Sequence, residues 1–120
     1  MTLKINVLGT EYQINRYNYT DKPIFAKRSI GGYSDDTEKE IAIVNMTTYP
    51  GFEDETEEYC RKVEKQTLRH EITHAFLSES GLADSSLNYS GGWAKNEEMV
   101  DWIAIQFPKL LKAFKDADCM

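Results

Sequence analysis

Residues 2–17 alternate between apolar and polar side chains in two runs separated by a turn. The first run, LKINV at 3–7, alternates strictly, Gly9 is typical of a turn, and the alternation returns from Tyr12 to Tyr17. A period of two places every second side chain on the same face of a strand. The pattern therefore predicts a β-hairpin.

A second β-forming run lies at 41–45, where IAIVN is short, apolar and rich in β-branched residues. Turn-forming residues lie on both sides of it, in the polar stretch SDDTEKE at 34–40 and in YPG at 49–51. Such a run is typical of a well-buried strand.

The second half of the chain has the composition of helices. Glu, Lys, Arg, Gln and Leu dominate from Glu53 to Ser80, and Gly81 is suited to end this helix. Asn96 is a good N-cap for a second helix, because Glu97 and Glu98 follow in its first turn, where acids favour the helix dipole. Proline lacks an N–H, so Pro108 is expected to end or kink this helix at Phe107. LLKAFKDA at 110–117 is then predicted as a short final helix.

The predicted fold class is α+β, with a small N-terminal antiparallel or mixed sheet followed by two main helices. A chain of 120 residues, 41% of them hydrophobic, is predicted to form a single domain, β-rich over 1–50 and helical over 53–118.

The charge and cysteine content narrow the class of protein. A net charge of −6 argues against a nucleic acid or an anionic membrane as partner, since both require clustered Lys and Arg. No apolar run approaches the roughly 20 residues of a membrane span, and the first residues do not resemble a secretory signal. Cys60 and Cys119 lack metal-site spacing and are expected to be free thiols, which favours a cytoplasmic location.

The segment HEITH contains both histidines of the chain, His70 and His74. Residues four apart lie on one face of a helix, so the two imidazoles can bind the same cation. Apolar residues lie on both sides of this segment, which predicts that it is buried between layers. Partly buried imidazoles have lost water and gain from binding a metal.

A catalytic tetrahedral zinc site takes three protein ligands. Because the chain has no further histidine, the third is expected to be a carboxylate or, as a less favoured alternative, a thiolate. The segment NEEMVD at 96–101 offers Glu97, with Asp101 one turn further on the same face. Glu97 is predicted as the third ligand, and Asp101 as the acceptor of a hydrogen bond from a metal-bound histidine. Glu98 is the rival ligand, but it has no Asp or His four residues later. The apolar neighbours of Asp101 predict that it lies in a largely buried stretch.

HEITH followed by NEEMVD resembles the gluzincin zinc metallopeptidases, which have a His-Glu-x-x-His motif and a later Glu ligand on a Glu-x-x-x-Asp helix. The layout looks most like the small ImmA/IrrE-type domains of bacterial phages and mobile elements. The resemblance covers IAIVN, TLRHEITH at 67–74, and NEEMVDWIAIQFP at 96–108. It implies a minimal zincin-like fold that binds one Zn²⁺ ion.

By position in these motifs, the resemblance implies that Glu71 is the general base, that His70, His74 and Glu97 bind zinc, and that Asp101 orients His70. It also implies a protein or peptide substrate in the bacterial cytoplasm. A donor to the developing oxyanion is needed as well, and Tyr89 is a weak candidate. By family layout, the strand at 41–45 is expected at the sheet edge, where an extended peptide can add as a strand.

Two alternatives stay open at this point. The chain can be a metal-binding regulatory or interaction protein of a phage or mobile element without proteolytic activity. It can also be a helical domain with a fortuitous motif, against which the paired NEEMVD segment argues. The ligand set suits neighbouring divalent metals as well as zinc, and the substrate and oligomeric state are not predicted.

Overall fold

Four strands form one mixed sheet in the computed structural model, which describes residues 2–85 and 93–120. The strands are β1 (Thr2–Val7), β2 (Thr10–Tyr17), β3 (Gly32–Asp35) and β4 (Glu40–Val44). Their order across the sheet is β1-β2-β4-β3. β2 pairs with β4 in parallel, and the two outer pairs are antiparallel.

The helices are α1 (Pro23–Arg28), α2 (Glu57–Glu79), α3 (Leu82–Ser85) and α4 (Glu97–Asp116). The predicted α+β class, with a small sheet and two main helices, is confirmed. Within the described residues, no helix has the length and apolarity that crossing a bilayer requires.

The predicted hairpin and the predicted buried strand are both present. Leu3 pairs with Ile14 across the hairpin, and Ile14 pairs with Ile41 across the parallel interface. All four apolar residues of β4, from Ile41 to Val44, are buried. The expected edge position of this strand is wrong, because β4 lies between β2 and β3. β4 is buried on both of its faces and pairs with a strand along each of its edges, so the edge strand near the helices is β3.

Helix α2 packs against one face of the sheet. Its residues Leu68, Ile72 and Ala75 join a core cluster with Ile41 and Ile43 of β4. On the opposite face Phe25 of α1 is fully buried in a second cluster. The helix begins later than predicted, at Glu57, because the Thr56 hydroxyl caps it by accepting a hydrogen bond from the N–H of Tyr59 at 3.0 Å.

Helix α4 begins where the sequence predicts, since the Asn96 side chain accepts a hydrogen bond from the N–H of Met99 at 2.8 Å. Of the predicted end or kink at Phe107, the end is wrong, and so is the separate short helix at 110–117, because one continuous helix runs through Pro108 to Asp116. Proline deprives the carbonyl four residues earlier, that of Ala104, of its helical donor. The Arg69 guanidinium of α2 donates to that carbonyl instead, with an Nε–O distance of 2.6 Å.

Candidate metal centre

The first half of the candidate site is a pair of imidazoles on α2. His70 and His74 lie one helical turn apart, and their Nε2 atoms are 3.1 Å from each other. Both rings are partly buried, as predicted for the HEITH segment. Because the helix is anchored on the sheet by Ile72 and Ala75, the two rings project away from the sheet core towards α4.

The second half comes from α4, which brings two carboxylates against these rings. The Glu97 carboxylate lies 2.8 Å from His74 Nε2 through one oxygen and 3.4 Å from His70 Nε2 through the other. Asp101 Oδ1 lies 2.6 Å from His70 Nδ1. An ionised carboxylate has no proton to donate, so the Nδ1–H of His70 donates to Asp101. This tautomer leaves the Nε2 lone pair of His70 directed at the other two groups.

The donor atoms lie at separations close to those around a small tetrahedral cation. The two Nε2 atoms are 3.1 Å apart, one Glu97 oxygen is 2.8 Å from His74 Nε2, and the other is 3.4 Å from His70 Nε2. Ligands at about 2.0–2.1 Å from a tetrahedral zinc ion lie about 3.3 Å apart. Two imidazole nitrogens and one carboxylate oxygen also form a donor set of the kind that catalytic zinc sites use. Together with Glu71, the two histidines form a group that can hold a metal ion.

Glu71 is the buried acid of the site. It is only 8% exposed, and its carboxylate lies 3.8 Å from His70 Nε2. Burial raises the pKa of Glu71 to about 7, against a smaller lowering by His70, and the negative charges of Glu97 and Asp101 add to the rise. A carboxyl group with such a pKa can both accept and donate a proton near neutral pH.

Burial acts on His74 in the opposite direction. Loss of water lowers the pKa of His74, although the Glu97 charge opposes the shift. A neutral imidazole is the form that binds metal ions. The fold therefore holds this ring ready for coordination rather than for ion pairing.

A cleft of about 430 Å³ opens between α2, α4 and the segment that enters β3. Its lining includes His70, Glu71, Glu97 and Asp101. Ser29 to Gly32 line it on the sheet side, opposite Glu97 and Asp101. Gly32 allows this approach. A Cβ at that position would lie 2.7 Å from the Ala42 carbonyl oxygen and 3.0 Å from Thr67 Cγ2 of α2. The sheet edge thus reaches the site because residue 32 has no side chain.

The structure brings together five of the six predicted site residues: His70, Glu71, His74, Glu97 and Asp101. The carboxylate of Glu97 contacts both rings, whereas the described ion pairs and hydrogen bonds include none between Glu98 and either ring. The sixth, Tyr89, the weak candidate for the oxyanion donor, lies outside the described residues.

The predicted burial around Asp101 is wrong. Val100 and Ala104 are buried, but the side chain of Asp101 is 55% exposed and Trp102 is exposed too. α4 covers the site with one face only, so residues at the border of that face remain open to water. Asp101 is therefore held at His70 by a hydrogen bond, and its burial contributes little.

Sequence reasoning missed two parts of the site. The glycine pair at 31–32 belongs to none of the predicted site motifs, although the second glycine permits the close approach of β3 and α2. Arg69 precedes the first histidine directly, and no motif marked it. The available signal was Pro108, which implied a carbonyl in need of a donor.

The chain matches no protein-family model, no curated protein and no solved structure.

Proposed function

We propose that this chain is a zinc-dependent peptidase of the gluzincin type, similar in layout to the ImmA/IrrE-type domains, acting on a protein in the bacterial cytoplasm. One observation carries the proposal. The Nε2 atoms of His70 and His74 lie 3.1 Å apart on α2, and each has an oxygen of Glu97 from α4 within 3.4 Å, with the buried Glu71 beside them.

In this proposal His70, His74 and Glu97 hold the ion, and Asp101 fixes the tautomer and orientation of His70. When bound, zinc supplies Lewis acidity towards a water molecule and a peptide carbonyl. Glu71 accepts the proton of the attacking water and later returns it to the departing amine. Its raised pKa supports both transfers near neutral pH.

The cleft supports a peptide as the substrate class. Its sheet-side wall leads into β3, whose outer edge has no partner strand within the described sheet. An exposed edge pairs with an extended chain through backbone hydrogen bonds. A peptide on this edge would pass the carboxylate of Glu71, so β3 takes the role that the family layout suggested for the strand at 41–45.

Metal binding is tested with protein purified without a histidine tag and reconstituted with zinc at neutral pH. We expect about one equivalent of zinc, and less than about a tenth of an equivalent would refute the site. Glu97→Gln should weaken the affinity by more than about 100-fold, because a ligand itself is lost. Glu98→Gln, on the neighbouring residue, is the matched control and should bind zinc as the wild type does.

Catalysis is tested with Glu71→Gln, compared by proteomics with the wild type in cells that express either protein. This variant keeps every ligand and should retain zinc, while turnover falls by about 10³-fold or more. The Glu98→Gln variant should cleave like the wild type. Equal protein profiles in cells with wild type and Glu71→Gln would instead favour a metal-binding interaction protein without proteolytic activity.

A further inference from the structure

Pro108 leaves one carbonyl in the middle of α4, that of Ala104, without its helical hydrogen-bond donor. In an uninterrupted helix the N–H of residue 108 would donate to the carbonyl of Ala104, but proline has none. Ala104 is only 1% exposed, so water cannot reach this carbonyl and replace the missing donor. A buried carbonyl left without a partner is costly. Arg69 of α2 satisfies it, with an Nε–O distance of 2.6 Å.

This contact lies in line with the candidate metal site. Glu97, Asp101, Ala104 and Pro108 follow one another at spacings of four, three and four residues, so they form one stripe along α4. The helices run antiparallel: Glu97 meets His74, Asp101 meets His70, and Ala104 meets Arg69. The arginine contact lies directly next to the two contacts on which the site depends.

The two carboxylate contacts are weak candidates for holding the helices in register. The side chains of Glu97 and Asp101 are 67% and 55% exposed, and exposed ion pairs contribute little. Among the described polar contacts between α2 and α4, the one from Arg69 to Ala104 is partly buried and involves no group of the metal site. A slip of one residue would shift Glu97 by about 1.5 Å along the axis and turn it by about 100°.

We propose that Arg69 is a positioning residue: by binding the carbonyl that Pro108 leaves free, it sets the register of α4 on α2 and so presents Glu97 and Asp101 to the histidines. The register is set in the absence of metal. The consequence for metal affinity rests on the proposed zinc site, whereas the link between Arg69 and Pro108 does not.

A double-mutant cycle tests this link, with Zn²⁺ alone as the probe and affinity measured by competition with a chromophoric chelator. Arg69→Met keeps the apolar stem and removes the donor, so zinc affinity should fall by about tenfold, as for lost outer partners of metal ligands. Pro108→Ala restores a helical N–H for Ala104 and should keep the affinity within about threefold. In the Pro108→Ala background, adding Arg69→Met should then lower the zinc affinity by less than about threefold. Arg61→Met, an exposed arginine on the same helix, is the matched control.

The second measurement is hydrogen exchange of the α4 amides in metal-free protein. Arg69→Met should speed exchange across α4 when Pro108 is present, and have little effect in the Pro108→Ala background. Equal effects of Arg69→Met in both backgrounds, in affinity or exchange, would overturn the proposal. So would an Arg69→Met variant with wild-type exchange. If the wild type binds no zinc, the proposed function fails, while the exchange data still decide the role of Arg69.

Discussion

Two buried glutamates, Glu64 and Glu71, lie two turns apart on α2, and the fold treats them in opposite ways. Glu64 is 6% exposed, and Arg16 donates to it at 2.7 and 3.1 Å, while the backbone N–H of Met46 donates at 3.0 Å. Glu71 is almost as buried, but the nearest basic nitrogen in the described part of the chain is His70 Nε2 at 3.8 Å. Burial therefore raises the pKa of Glu71 to about 7.

The difference separates a structural acid from a reactive one. Burying a carboxylate is costly unless hydrogen bonds and a cation compensate, and Glu64 has both. Among residues 2–85 and 93–120 no hydrogen bond or Lys or Arg side chain compensates Glu71 in this way, so these residues give its burial no structural purpose. An acid buried in a cleft with a displaced pKa is typical of functional sites. On the same helix, the first acid joins α2 to β2 through Arg16, and the second lines the cleft beside His70 and Glu97.

The largest expected effect is that two matched substitutions change different properties: one lowers stability and the other lowers turnover. Glu64→Gln should lower the free energy of unfolding by about 2–3 kcal/mol, since it weakens charge-assisted bonds to a partly exposed arginine. Glu71→Gln should leave that free energy unchanged or higher, while removing turnover by about 10³-fold or more. Urea denaturation and a peptidase assay measure the two effects. A destabilised Glu71→Gln beside an unaffected Glu64→Gln would invalidate the distinction.

The next effect is the contribution of Glu71 to the pH dependence of the free energy of unfolding, measured in metal-free protein. Because its folded pKa lies near 7, above the ordinary 4.5, the folded state holds an extra proton between these values. Its contribution to stability is complete below about pH 4.5 and is lost as the pH rises through 7. One pKa unit corresponds to about 1.4 kcal/mol. Between pH 5 and pH 8, the free energy of unfolding of Glu71→Gln should therefore rise by about 2–3 kcal/mol relative to that of the wild type.

The difference between wild type and variant isolates this contribution. The lowered pKa of His74 acts in the opposite direction, removing stability as the pH falls, but both proteins share it. Parallel curves for wild type and Glu71→Gln would mean that the buried carboxyl is not displaced in pKa.

The smallest expected effect concerns Asp101, an exposed acid that contacts His70. Asp101→Asn removes the charge that orients the ring, so zinc affinity should fall by about tenfold, at the lower end for such partners. The unfolding free energy of the metal-free protein should change by less than about 0.5 kcal/mol, because the pair is exposed. Calorimetric zinc titration and urea denaturation separate the two. A loss of stability with unchanged affinity would place Asp101 with Glu64 as a structural acid.

Local patterns in the sequence were enough to predict most elements. The alternation in residues 2–17 predicted the hairpin, IAIVN predicted the buried strand, and Asn96 predicted the start of α4. Each prediction depends on a period or a cap formed by residues close in the chain. The edge position of the strand at 41–45, the end of the helix at Phe107 and the burial around Asp101 were predicted wrongly, and all three depend on partners distant in the chain.

The sequence by itself determined that two imidazoles and a glutamate share one helix, because four-residue spacing places side chains on one face. Only the tertiary structure decided which acid contacts the rings, how deeply Glu71 is buried, and why α4 continues past Pro108. These depend on the packing of α2 between β3 and α4. Burial and hydrogen bonding across elements arise from residues far apart in the chain, such as Arg69 and Ala104 at a separation of 35 positions, and local pattern carries no information about them.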